Sequence, residues 1–68
     1  MRTFNIPVPP ADIKAVEDWQ GYVWIRLDED TFEHQFPDAY TPTERTWREL
    51  ISEGALTECE PKIQNYYL

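Results

Sequence analysis

Apolar and polar positions alternate at the start of the chain. Phe4, Ile6 and Val8 fall on one side and Thr3, Asn5 and Pro7 on the other, the period-2 pattern of a strand. Pro7 has no amide hydrogen to give to a ladder, which places this strand at a sheet edge, and Pro9-Pro10 ends it. The spacing then changes. Ile13, Val16 and Trp19 recur every three residues between Asp12, Lys14, Glu17 and Asp18, which predicts an amphipathic helix over residues 10–19, terminated by Gly21.

Residues 22–27, Tyr-Val-Trp-Ile-Arg-Leu, are rich in aromatic and β-branched types and predict a strand. Val23, Ile25 and Leu27 line one of its faces, and Tyr22, Trp24 and Arg26 the other. A strand that is apolar on both faces is usually covered on both, so one face is open to a partner if helices are few. Asp28-Glu29-Asp30 makes a polar turn, after which residues 31–36 return as an antiparallel strand. Thr41-Pro42-Thr43-Glu44 then has the form of a capping box, with a hydroxyl at the N-cap, Pro at the first helical position and Glu three residues on. The helix it opens spans residues 42–53, buries Trp47, Leu50 and Ile51, and stops at Gly54. Residues 55–60 and 63–68 form a C-terminal hairpin about Pro61-Lys62.

Together these elements predict an α+β fold, a small single domain over residues 1–68 with two short helices and a small antiparallel sheet. The order of capped helix, Gly and hairpin is similar to the end of a winged-helix domain, a likeness of topology that does not fix function.

Charge and composition change the picture next. Thirteen Asp and Glu stand against six Lys and Arg in 68 residues, a formal net charge of −7, beside three Trp, four Tyr and three Phe. A domain this short buries only about 60% of the surface its unfolded chain exposes. Cys59 is the only cysteine, so no intrachain disulfide is available and a reducing, cytoplasmic setting is expected. The core must come from the rings, with Phe4, Trp19, Trp47 and one of Phe32 or Phe36 in it, or from a second copy of the chain. Tyr22, Trp24, Tyr40, Tyr66 and Tyr67 are left for an interface. No apolar run is long enough for a membrane span, and Met1 to Pro7 lacks the apolar stretch of a secretory signal.

Candidate chemistry is sparse. Ser52 has no nucleophile-elbow context, and nothing in the sequence brings Cys59 to His34, which reads as a surface residue. Counted from Asp28, the sixth and twelfth positions of a calcium loop are Glu33 and Ala39 instead of Gly and Glu. One Cys and one His are too few for zinc. An enzyme, a metal protein and a cofactor protein are therefore not expected. Excess acid argues against direct binding of nucleic acid, whose phosphates it would repel.

The acidic segment is what remains. Asp28, Glu29, Asp30, Glu33, Asp38 and Glu44 occur with no intervening Lys or Arg, interleaved with Phe32, Phe36 and Tyr40. Asp28, Glu29, Asp30, Glu33 and Asp38 are the candidate partner-binding carboxylates, with Tyr22, Trp24 and Tyr40 as aromatic anchors. Carboxylates spaced along a surface can occupy the sites of phosphates in an Arg- and Lys-lined groove. In its composition the chain resembles phage-encoded inhibitors of host machinery, among them anti-CRISPR proteins and DNA mimics. That likeness, which involves no motif, implies a basic host protein or ribonucleoprotein complex as the partner and the host cytoplasm as the location. The alternative is a homodimeric structural or regulatory module whose aromatic residues form the self-interface.

Overall fold

The computed structural model describes residues 1–36 and 43–61. Its architecture is one six-stranded antiparallel sheet with a single short helix: β1 (Thr3–Phe4), β2 (Ala15–Glu17), β3 (Val23–Arg26), β4 (Thr31–His34), β5 (Glu44–Thr46), α1 (Trp47–Ile51) and β6 (Leu56–Cys59). The strand order is β1-β6-β2-β3-β4-β5. This overturns the expected two-helix α+β arrangement; among the described residues the regular structure is mostly sheet.

The predicted helix over 10–19 is absent. Residues 11–12 form a turn and Ala15–Glu17 a strand between β3 and β6, with Val16 facing Trp24 on one side and Glu58 on the other. Ala15 and Val16 are both fully buried. Such a strand has its apolar residues at adjacent positions, and the three-residue recurrence of Ile13, Val16 and Trp19 came from a strand and its flanks.

The helix predicted over 42–53 shrinks to Trp47–Ile51, and its cap moves. Thr46 is the N-cap: its side chain accepts from the Glu49 amide, and the Glu49 carboxylate accepts from the Thr46 amide at 2.8 Å. Glu44 cannot serve as the third residue of a helix, because Glu44–Thr46 is β5, which pairs with β4. Thr41 and Pro42, the start of the expected box, lie outside the described residues. The stripe itself is as predicted, with Trp47 and Leu50 buried and Ile51 packed against them. A winged-helix end is also ruled out for β6, since both its edges are taken, by β1 and by β2. The hairpin's second strand, residues 63–68, lies outside the described residues.

The hairpin of β3 and β4 forms as expected, pairing Trp24 with His34, Ile25 with Glu33 and Arg26 with Phe32. The two nearby tryptophans exchange their predicted places. Trp24 is 2% exposed, while Trp19, in the turn between β2 and β3, is 64% exposed. His34 is buried as well, its ring between those of Tyr22 (5.0 Å) and Trp24 (4.8 Å). Its position on β4, on the same face as Phe32, puts it inside despite its polar sequence neighbours.

The core joins Ile13, Val16, Trp24, Phe32, Trp47, Leu50 and Leu56. Trp47 touches Phe4 on β1 and Phe32 on β4, at ring distances of 6.1 and 5.8 Å. Three strands separate β1 from β4, so in a flat sheet these rings would stand about 19 Å apart. The sheet must therefore curl around the Trp47 indole.

Candidate functional site

The acidic run between β3 and β4 is a tightly bonded turn. The Leu27 amide donates to the Thr31 carbonyl at 2.8 Å. Asp28 turns its carboxylate back on the chain, where Oδ1 accepts from the amides of Asp30 (3.0 Å) and Thr31 (2.8 Å). These two bonds hold its pKa below the ordinary carboxylate value, so it stays ionised. The Asp30 carbonyl accepts from the Trp47 amide at 2.8 Å, which fastens the turn to the start of α1.

Arg26 fixes the turn from the inside. Its Nε donates to the Asp28 carbonyl at 2.9 Å and one Nη to the Glu29 carbonyl at 2.7 Å. The other Nη reaches the carbonyls of Pro10 (2.7 Å) and Ile13 (3.3 Å). One guanidinium thus ties the turn to the segment before β2, using donors whose planar fork suits several acceptors at once. With their backbone held in this way, the Glu29 and Asp30 side chains remain exposed, and among the described residues neither forms an ion pair.

Other acids are committed elsewhere. Asp12 and Glu58 both bind Arg2, which keeps the Glu58 carboxyl below its usual pKa and raises that of the guanidinium. Glu53 binds Arg45 at 2.7 Å. Asp18 accepts from the amides of Gln20 and Tyr22 and from the Trp24 indole. Glu33 and Glu44 stand directly opposite each other across β4 and β5, both exposed and without an ion pair among the described residues. Ile25 is the neighbour of Glu33 on the other side, so these two carboxylates and Ile25 share the outer face of the sheet.

Two grooves meet at the turn. The larger, about 540 Å³, has Ile13, Ile25, Leu27 and Pro61 as its apolar surface, with Asp28 and Glu29 beside them. The smaller, about 340 Å³, runs between Val8-Pro9 and Glu29-Asp30. Ala11 and Arg26 line both.

Of the candidate carboxylates, the fold gathers Asp28, Glu29, Asp30 and Glu33 around the hairpin of β3 and β4. Asp38 and Tyr40 lie outside the described residues. The two described aromatic anchors, Trp24 and Tyr22, do not join them. Trp24 is in the core, and Tyr22, 40% exposed, sits at the far end of β3, about 13 Å of strand from the turn. Apolar contact beside the acids comes instead from Ile25 and Leu27, the latter 48% exposed. Sequence reasoning missed these two residues and Arg26. The signal available for Arg26 was its place as the only cation between Lys14 and Arg45, directly ahead of the acidic run.

No group of three or more His, Cys, Asp or Glu side chains among the described residues is placed to hold a metal ion. No helix among them is long and apolar enough to cross a membrane. Compared with family models, curated proteins and solved structures, the chain matches none.

Proposed function

We propose that this protein binds and blocks a basic, nucleic-acid-handling partner, presenting carboxylates where that partner expects phosphates. The observation that carries this reading is the pinned turn. Glu29 and Asp30 project from a backbone held by the Arg26 fork, the Asp28 carboxylate and the Trp47 amide. Charges fixed before the encounter lose little freedom on binding. A net charge of −7 steers a positive surface toward them. The protein acts as a stoichiometric inhibitor without chemistry of its own.

A tagged pull-down from host lysate tests this, washed at low and at high salt and repeated with the Glu29→Lys, Asp30→Lys double variant. The expected result is a nucleic-acid-binding protein retained at low salt, lost at high salt, and not recovered by the variant. Equal recovery by both proteins at both salt concentrations would remove the acidic turn from the function.

A second reading, the self-associating module, draws on the opposite end of β3. There Tyr22 and Phe36 flank the buried His34, both about two-fifths exposed. Sedimentation at micromolar concentration decides it, since a clean monomer leaves that aromatic end without a role in self-pairing.

A further inference from the structure

We infer that the larger groove is a pocket for one aliphatic side chain carried between two basic residues on an extended segment of the partner. The inference rests on the reading of the acidic turn as the binding surface, and it specifies what that surface recognises. Ile25 and Leu27 alternate onto the outer face of the sheet and form the apolar floor, with Ile13 behind them. Leu27 remains about half exposed, and a volume of about 540 Å³ is ample for a Leu or Ile side chain.

Carboxylates flank this floor on two sides. Asp28 and Glu29 stand at the turn end, while Glu33 and Glu44 continue the row across the sheet from Ile25. Lys14 and Arg26 also line the groove, but the Arg26 guanidinium spends its donors on four backbone carbonyls. An apolar strip with acid at its turn end and along its β4 edge complements a basic-aliphatic-basic segment. An acidic segment would be repelled. A basic segment lacking the aliphatic residue would gain the charges and leave the strip wet.

The test uses three blocked tripeptides, Arg-Leu-Arg, Arg-Ser-Arg and Glu-Leu-Glu, titrated into the isotopically labelled protein and followed by amide chemical shifts. Arg-Leu-Arg should shift the amides of Ile13, Ile25 and Leu27 and bind about tenfold tighter than Arg-Ser-Arg. Glu-Leu-Glu should give no saturable shift. Leu27→Ser should bring the two Arg peptides to equal affinity, and Lys14→Glu should tighten both. Equal binding of the Arg peptides at the turn, with the groove unmoved, would overturn the pocket and leave the electrostatic reading standing. Binding of Glu-Leu-Glu as tight as that of Arg-Leu-Arg would overturn the charge selectivity on which both depend.

Discussion

The indole N–H of Trp47 donates to the main-chain carbonyl of Ile6 at 2.8 Å, joining the helix to the segment beyond the first strand. The same ring fills the concave side of the sheet between Phe4 and Phe32. Polar and apolar contributions can therefore be separated at this one residue. Trp47→Phe keeps much of the ring contact and leaves the Ile6 carbonyl without its partner, at a cost of about 1–3 kcal/mol. Trp47→Ala should cost about 3–5 kcal/mol and leave β1 unpaired from the core. Urea denaturation followed by circular dichroism measures both, and an unchanged midpoint for Trp47→Phe would show that the hydrogen bond contributes nothing.

Asp18 organises the turn between β2 and β3 through three accepted hydrogen bonds, one of them from the buried Trp24 indole at 3.0 Å. Asp18→Ala is expected to destabilise by about 2 kcal/mol, since an indole N–H loses its partner in a partly buried place. Asp18→Asn retains an acceptor and should cost less. The intrinsic fluorescence midpoint in urea reads the difference.

Parts of this were legible in the sequence, the two-helix fold was not observed, and the failures have physical causes. The strand over Tyr22 to Leu27 was plain from its β preference, whereas its return as β4 had no Gly or Asn turn to mark it. The core stripe Trp47, Leu50 and Ile51 was equally plain. The helix start was misplaced because hydroxyl-x-x-Glu occurs twice around it, at Thr41–Glu44 and at Thr46–Glu49. Only tertiary pairing of Glu44–Thr46 with β4 selects the second. Three-residue recurrence misled over 10–19, where long-range pairing with β3 and β6 outweighs a local helical pattern. At the site, the acids could be seen but their backbone clamp could not. Arg26 reaches Pro10 and Ile13 across a fold that spacing does not reveal.

Replacing that clamp separates charge from geometry. Arg26→Lys keeps the positive charge but cannot serve four carbonyls. It should lower stability by about 1–2 kcal/mol and accelerate amide exchange at Asp30 and Thr31. Unchanged exchange at those amides would show that the turn holds itself.

The Asp28 carboxyl predicts an acid-side dependence of stability. Its folded pKa lies below the ordinary 3.8 because of the Asp30 and Thr31 amides. The stability it contributes is then fully present above that ordinary value and is lost as pH falls through the lower, folded one. Asp28→Asn preserves an acceptor for the turn and removes the titration. Thermal melts from neutral pH down to about 2 should show a shallower acid decline for this variant. An identical decline would assign it to other carboxyls, Glu58 foremost, whose pKa Arg2 lowers in the same direction.

Glu33 and Glu44 offer a gain. Like charges directly opposite on neighbouring strands repel, so Glu44→Lys should stabilise by about 0.2–1 kcal/mol. If the outer face meets a basic partner, the same change should weaken that association. A variant more stable and less active would show that the protein keeps an unfavourable pair for the sake of its surface.

The placement of β6 governs when the protein can fold. The last of the described strands lies between the first two, pairing Thr57 with Thr3 on one edge and with Glu17 on the other. While the chain emerges from the ribosome, β2 has one bare edge and β1 has no neighbour. The sheet must wait until β6, far downstream of both in sequence, is free to insert. Such distant pairings favour slow, all-or-none folding. They also leave the nascent chain reliant on its own net charge of −7 for solubility through that interval.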